Sequence, residues 1–129
     1  MEIGKPLPRV DAPAKATGRA LYADDFQTSG VLAAKYFRST IAHGRVKSID
    51  VQPAKALSGV VAVFTYEDVP STPFATAGHP LNLDPDHEDV ADRLILTRDI
   101  RFYGDEIAVV VAENEAMAEK AVGLIRVGY

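Results

Sequence analysis

The clearest pattern of hydrophobic and polar positions lies near the end of the chain. Residues Ile107 to Ala112 form an unbroken apolar run rich in β-branched side chains, which is typical of a strand covered on both faces. Asn114 follows in a position to cap a helix. The apolar positions that then recur at helical spacing are Met117, Ala121, Leu124 and Ile125. The pattern predicts a strand, a helix and the start of another strand over residues 125 to 129.

The first half of the chain carries shorter apolar runs. Val31 to Phe37 and Arg45 to Val51 are predicted to form a hairpin or a bent pair of strands. Pro53 to Leu57 is predicted as a short helix, since proline is favoured at its first position and Gly59 is a favourable stop. The helix leads directly into Val60 to Thr65, which reads as a buried strand.

Local signals predict three more short elements. Thr65 and Asp68 have the spacing of a capping box, which predicts one turn of helix. Leu94 to Thr97 and Ile100 to Tyr103 are short strand candidates.

Two segments show no regular spacing of hydrophobic residues. Residues 4 to 25 are rich in proline, glycine and charge, so residues 1–25 are predicted as an extended leader lying along a surface, with Arg19 to Tyr22 able to pair as a short strand. Residues 71–93 are predicted as a long loop. Loops of this length are usually functional or bind a partner.

The order of elements indicates the fold class. There are too few helices to cover both faces of a doubly wound sheet, so we predict an α+β fold in which a mixed sheet carries its helices on one face. A chain of 129 residues fits a single domain over residues 1–129.

Composition and charge exclude several classes of protein. The chain is 47% hydrophobic and 25% charged, as is usual for soluble globular domains. It has no apolar run near the roughly 20 residues of a membrane helix and no secretory signal. Cysteine is absent, which excludes disulfides and thiolate ligands within these residues. A net charge of -4 argues against nucleic acid as a partner.

The residues with reactive side chains do not form a recognisable site. Ser39 and His43 are close in sequence, but nothing marks a nucleophile elbow and His43 fits a turn. Asp24 and Asp25 fit a solvated turn, and the junction Glu113-Asn114 lacks the glycines of a phosphate loop. The polar residues of the long loop match no zinc or calcium spacing: His79, Asp84, Asp86, His87, Glu88 and Asp89.

Three blocks of sequence carry a resemblance to a known family. The blocks are GKPLPRVDAPAKATGRALYADDF, KYFRSTIAHGRVKSIDVQPAKALSGVVAVFTYEDVP and RFYGDEIAVVVAENEAMAEKAVGLIRVGY. In this order they resemble the N-terminal α/β hammerhead domain of the molybdenum-binding subunit of the xanthine dehydrogenase and aldehyde oxidase family. Residues 71–93 are the least similar part. The resemblance implies an α/β hammerhead fold and a fragment of a larger subunit.

The resemblance also implies a function for the whole enzyme. Family members hydroxylate a carbon beside nitrogen or oxygen in purines, related heterocycles or aldehydes, with oxygen taken from water. A molybdenum-molybdopterin centre accepts the electrons, and 2Fe-2S clusters and FAD pass them on. The catalytic glutamate and the pterin-binding loops of the family follow the hammerhead domain. No catalytic, cofactor or metal ligand is therefore expected in this chain, and the isolated fragment is expected to be inactive.

The implied partners are the downstream molybdopterin-binding domains of the same chain and the Fe-S and FAD subunits, in the cytoplasm. We expect the leader and the long loop to dock against them. The candidate docking residues are Arg9, Asp11, Arg19, Tyr22, Asp25, Phe74 and His79.

One alternative from the residues alone is an autonomous ligand-binding or regulatory α+β module. His43, Arg38 and Arg45 are the candidates for its pocket. The final residues LIRVGY favour the fragment, because they read as the middle of a strand rather than as a finished end.

Overall fold

The computed structural model describes residues 4–26, 29–76 and 90–129. The chain divides into two units, Met1–Val31 and Leu32–Tyr129. Within the described ranges, no helix is long and apolar enough to cross a membrane.

The sequence pattern predicted that residues 1–25 are extended, but the first unit is not extended throughout. It contains helix α1 (Ala12–Ala16) and a 3-10 turn (Ala23–Asp25). Helix α1 forms because alanine is the best helix former, Pro13 lies in the first turn, and Lys15 pairs with Asp11 one turn earlier at 2.7 Å. The predicted strand at Arg19 to Tyr22 is wrong. The backbone N–H of Arg19 instead donates to the carbonyl of Ala14 at 2.8 Å, which folds the chain back onto α1.

The described residues of the second unit form seven strands and two helices. The strands are β1 (Ala33–Arg38), β2 (Gly44–Arg45), β3 (Ser48–Asp50), β4 (Val60–Thr65), β5 (Asp99–Ile100), β6 (Glu106–Ala112) and β7 (Arg126–Gly128), and the helices are α2 (Gln52–Lys55) and α3 (Glu115–Val122). The predictions of β4, β6, α2, α3 and a final strand are confirmed, with shifts of one or two residues at some ends.

Strand pairing differs from the prediction in two respects. The central sheet has the order β1-β6-β4, while β2 pairs with β5 and β3 pairs with β7. All of these pairings are antiparallel, so the sheets of the described residues are not mixed. The predicted hairpin between residues 31–37 and 45–51 is wrong. Strand β6 carries apolar side chains on both of its faces. It therefore takes the central place between β1 and β4.

The main core lies between the central sheet and both helices. It contains Val51, Ala54, Val63, Ala108, Val110, Ala121 and Ile125. Ala54 of α2 and Ala121 of α3 belong to the same cluster, which confirms that the helices gather on one face of the sheet. Alanine at these positions lets the helix backbones approach the strands closely, so the face is tightly packed.

A second cluster lies beside the first. Its buried members are Val46, Ile100 and Ile107, and Phe37, Ile49 and Val127 pack against both clusters. The two clusters are therefore continuous, and β2, β3, β5 and β7 complete the core around the central sheet.

Two predicted elements are turns instead. Residues 94–97 are not a strand, because the hydroxyl of Thr97 donates to the carbonyl of Asp99 at 2.9 Å and accepts from the N–H of Asp99 at 3.1 Å. After β4, Asp68 accepts hydrogen bonds from the backbone N–H of Thr65 at 2.7 Å and from its hydroxyl at 2.9 Å. This pair closes a turn without continuing into a helix.

Gly59 ends the α2 region as predicted. Its φ of +87° is strained for any residue with a Cβ atom, and its carbonyl accepts from the N–H of Glu113 at 2.8 Å. The glycine thus turns the chain into β4 and joins that turn to the end of β6.

Candidate functional site

A polar cleft lies beside β5 and the start of β6. Its volume is about 210 Å³. It is lined by Asp92, Arg93, Leu94, Thr97, Asp99, Arg101 and Asp105. A wider opening next to it adds Thr76 and Phe102. Acidic and basic side chains alternate around this cleft, so their pairing decides what it can do.

Asp105 is the buried acid of the cleft. Its carboxylate accepts hydrogen bonds from the backbone N–H of Arg101 at 2.8 Å and from Nη1 of Arg93 at 3.0 Å. Gly104, with a φ of +95°, makes the turn that places Asp105 at the entry to β6. The carboxylate is therefore held by fixed donors and acts as a structural anchor.

The guanidinium group of Arg93 contacts three residues at the start of β6 and in the turn before it. Besides Asp105, it donates to Oε2 of Glu106 at 3.0 Å and lies 4.6 Å from the ring centroid of Phe102. The backbone of Arg93 forms an antiparallel bridge with Phe74, with N–H to carbonyl distances of 2.9 and 3.1 Å. The two ends of the segment predicted as a long loop are thus tied together at its base and fixed to β6.

The other charged groups around the cleft are also paired. Arg101 donates to the carboxylate of Asp92 at 3.0 Å, and Arg38 forms an ion pair with Glu106 and donates to the carbonyl of Gly104 at 3.0 Å. Among the described residues, no buried side-chain polar atom lacks a hydrogen-bond partner. The arginines and acids of the cleft neutralise one another, an arrangement that stabilises the fold and offers no free general base or anion site.

The predicted docking residues of the leader make local contacts. Asp11 pairs with Arg9 at 2.5 Å as well as with Lys15, and these cations, Lys15 first, lower the pKa of the Asp11 carboxyl. Arg19 donates to the hydroxyl of Thr17 at 3.1 Å. The charges of this segment therefore fix its own conformation.

The 3-10 turn of the leader is held in the same way. Asp25 accepts from the backbone N–H of Tyr22 at 2.8 Å, while the ring of Tyr22 is exposed. Of the two residues predicted as a solvated acidic pair, Asp25 is thus a turn cap.

Exposed apolar side chains of the leader are the feature that sequence reasoning missed. They are Leu7, Val10 and Leu21, with Phe26 directly after the leader, and they accompany the exposed ring of Tyr22, which was predicted as a docking residue. Val10 is 99% exposed. Their signal in the sequence is the presence of large apolar residues in a segment without a helical or strand period.

The remaining candidates do not converge. Phe74 is 43% exposed at the base of the loop, and His79 lies outside the described residues, as do Asp84, Asp86, His87, Glu88 and Asp89. Within the described part of the chain, no group of three or more histidine, cysteine or acidic side chains could hold a metal ion.

The residues considered for a nucleophile pair or a ligand pocket are engaged separately. Ser39 is buried, and its hydroxyl donates to the carbonyl of Ile41 at 2.8 Å. Arg45 pairs with Asp99 at 2.7 Å on the surface, Arg38 pairs with Glu106, and His43 is exposed. These contacts do not support the pocket of an autonomous module.

The chain is similar to proteins of one known family. Residues 17–129 match the family model described as aldehyde oxidase and xanthine dehydrogenase, a/b hammerhead domain. The xanthine dehydrogenase molybdenum-binding subunit of Escherichia coli O157:H7 is 55% identical over 121 residues, which cover 94% of this chain and 16% of that protein.

Solved structures show the same fold. Quinoline 2-oxidoreductase from Pseudomonas putida 86 has a TM-score of 0.82 at 35% identity and covers 100% of this chain and 16% of its own. Aldehyde oxidoreductase from Desulfovibrio gigas has a TM-score of 0.77 at 32% identity and covers 94% of this chain and 14% of its own. The chain thus spans about one sixth of the length of these relatives. It belongs to the aldehyde oxidase and xanthine dehydrogenase family, and residues 17–129 are its α/β hammerhead domain.

Proposed function

We propose that residues 1–129 form the N-terminal structural domain of the molybdenum-binding subunit of a xanthine dehydrogenase-like hydroxylase. The observation that carries the proposal is the 55% identity over 94% of the chain with a subunit of that name. The whole enzyme would hydroxylate purines, related heterocycles or aldehydes with oxygen from water. Electrons would leave through Fe-S clusters and FAD on partner domains or subunits.

Within that enzyme, the domain supplies rigidity and contact surfaces. The polar cleft supports this role, because Asp105 is held by Arg93 and by the backbone of Arg101 rather than being open to a ligand. The donor sets of the described residues do not fit a molybdenum-pterin group, since the acids of the cleft are paired with arginines. The residues that bind molybdopterin are therefore proposed to lie elsewhere in the subunit.

Relatives that are named for different substrates support the proposal that this domain is structural. Proteins named for quinoline and for aldehyde substrates share this domain with TM-scores of 0.82 and 0.77. A domain that stays this similar while the named substrate changes is suited to a common scaffold, and substrate choice is assigned to the rest of the enzyme.

Docking of the leader onto the rest of the enzyme is part of the proposal. The exposed apolar side chains Leu7, Leu21 and Phe26 would provide its contact area. The paired residues Arg9 and Asp11 would hold its shape. Phe74 and His79 remain candidates at the loop.

Metal analysis of two purified proteins tests the proposed function. The full-length protein that contains this chain is expected to carry molybdenum and pterin and to oxidise a purine or an aldehyde. The 129-residue chain alone is expected to carry neither and to show no turnover. Stoichiometric molybdenum in the short chain, or its absence from the full-length protein, would refute the proposal.

A further inference from the structure

Both described helices of the second unit, α2 and α3, pack on one face of the central sheet. On strand β6 the side chains of Ala108 and Val110 point into the helix-covered core, and Val109 and Val111 therefore point to the opposite side. We call this second side the open face. Its members are Ala34, Tyr36, Ala62, Phe64, Val109 and Val111.

Strand register arranges the open face as two rows. Tyr36 of β1 and Phe64 of β4 both lie opposite Val109, so one row has an aromatic residue at each side of a valine. Ala34 and Ala62 both lie opposite Val111 and form the second row. Cross-strand neighbours of this kind are close enough to form a continuous apolar surface.

The aromatic side chains of this surface are accessible. Tyr36 is 47% exposed and Phe64 is 40% exposed. Val61, the extra residue of a bulge in β4, is 57% exposed beside them. The described residues of the second unit therefore leave this apolar surface partly exposed.

Charged groups are absent from the centre of the open face and occur at its margin. Arg38 lies 5.4 Å from the ring centroid of Tyr36, and its charge is already paired with Glu106. On the helix-covered side, by contrast, strand β1 carries Lys35, which pairs with Glu115 at 2.7 Å. A sheet face that is exposed to water normally carries polar residues. An aromatic centre with a charged margin is instead typical of a protein–protein interface.

We propose that the open face is covered by an apolar surface of the remaining part of the same molybdenum-binding subunit. The inference rests on the proposed function. The chain spans 16% of the length of its 55% identical relative, so most of such a subunit lies outside these residues and is permanently available to cover the face. A permanent interface can be strongly apolar, and the open face has no polar side chain except the hydroxyl of Tyr36.

Thiol labelling of the full-length subunit tests the location of the interface. The chain contains no cysteine, so peptide mass spectrometry identifies each introduced thiol. Phe64→Cys probes the open face, and Ala116→Cys, at an exposed position on α3, is the matched control. Maleimide is expected to react at position 64 at least about tenfold more slowly than at position 116 in the native subunit, because interface cores pack as densely as protein interiors. Unfolding should equalise the two rates.

Equal labelling rates in the native subunit would overturn the proposal. Hydroxyl-radical footprinting of the unmodified subunit gives a second measurement that needs no substitution, and protection of Tyr36 and Phe64 that is lost on unfolding is the expected result. Fast oxidation of both rings in the native subunit would also overturn it.

The test must also distinguish this intramolecular cover of the open face from a cover provided by a second copy of the subunit. Light scattering with labelling over a dilution series separates the two cases, since protection that disappears as a dimer dissociates would reject the intramolecular interface. Molybdenum analysis of the same sample keeps the two proposals apart. A subunit that carries molybdenum but reacts quickly at position 64 disproves only the covered face, whereas one without molybdenum disproves the proposed function.

Discussion

Nη1 of Arg93 lies 3.0 Å from the carboxylate of Asp105, and the two side chains are 19% and 2% exposed. Arg93 ends the segment predicted as a long loop, and Asp105 precedes β6. The backbone of Arg93 also pairs with Phe74 at the other end of that segment. Arg93 therefore links both ends of the segment to the start of the central strand, through its backbone bridge to Phe74 and its ion pairs with Asp105 and Glu106.

Removing the cation of this pair should destabilise the fold strongly. Arg93→Met leaves the buried Asp105 carboxylate with backbone donors only. We expect the free energy of unfolding to fall by about 3 kcal/mol, because a buried charge without its partner is costly. Urea denaturation of the 129-residue chain, followed by circular dichroism, measures the change.

The matched control is Arg45→Met. Arg45 pairs with Asp99 across two side chains that are 65% and 64% exposed, and a pair of this kind contributes less than about 1 kcal/mol. Similar losses in the two variants would show that burial does not determine the strength of the Arg93 pair.

Because Val110 packs in the core against the helices, shortening its side chain should destabilise the fold far more than shortening Val61. Val110 is fully buried beneath α3, and Val61 is exposed in the bulge of β4. Val110→Ala should lower the free energy of unfolding by about 2–3 kcal/mol, since it removes two buried carbons and leaves a cavity. Val61→Ala should change it by less than about 0.5 kcal/mol. The same urea experiment compares them, and equal effects would contradict the assignment of the helix-covered face.

Sequence reasoning identified the elements whose signals are local. The runs at 60–65 and 107–112 predicted β4 and β6, and Asn114 with the apolar spacing after it predicted α3. Pairing could not be predicted in the same way, because the partner of β1 is β6, which lies far along the chain. Strands β2, β3 and β5 contain two or three residues each, so their identity depends on their partners and not on their own pattern.

The candidate site was less predictable than the fold. No spacing rule connects Arg93 with Asp105, since the contact requires the turn at Gly104 and the bridge to Phe74. In the leader, the predicted docking residues include Asp11 and Asp25, yet both carboxylates are used in local contacts. The apolar residues Leu7 and Phe26 were visible in the sequence, but their exposure depends on the absence of a core around them.

Helix α3 should depend on its N-terminal cap. The side-chain oxygen of Asn114 accepts from the N–H of Met117 at 2.9 Å. Asn114→Ala leaves that donor without its partner and should cost about 1 kcal/mol of stability. Asn114→Ser restores an acceptor at the same position and should recover most of the loss. Thermal unfolding of both variants decides the point, and identical losses would show that the cap is unimportant.

The hydrogen bonds from Thr65 to Asp68 predict a specific loss of stability in acid. The backbone N–H and the hydroxyl of Thr65 lower the pKa of the Asp68 carboxyl from its ordinary value of 3.8, with the backbone bond as the larger cause. A carboxyl with a lowered pKa in the folded state binds its proton more readily when unfolded. Its contribution is therefore fully present above the ordinary pKa and is lost as the pH falls through the lower folded value.

Asp68→Asn keeps an acceptor for Thr65 but cannot ionise. Wild type should be more stable than this variant near neutral pH, and the difference should shrink below about pH 4 as the wild-type carboxyl takes up its proton. Urea midpoints from about pH 7 to about pH 2 measure the difference. Glu67→Gln removes the neighbouring carboxylate outside this hydrogen-bonded pair and serves as the control. A difference between wild type and Asp68→Asn that stays constant across the acid range would mean that ionised Asp68 has no preference for the folded turn.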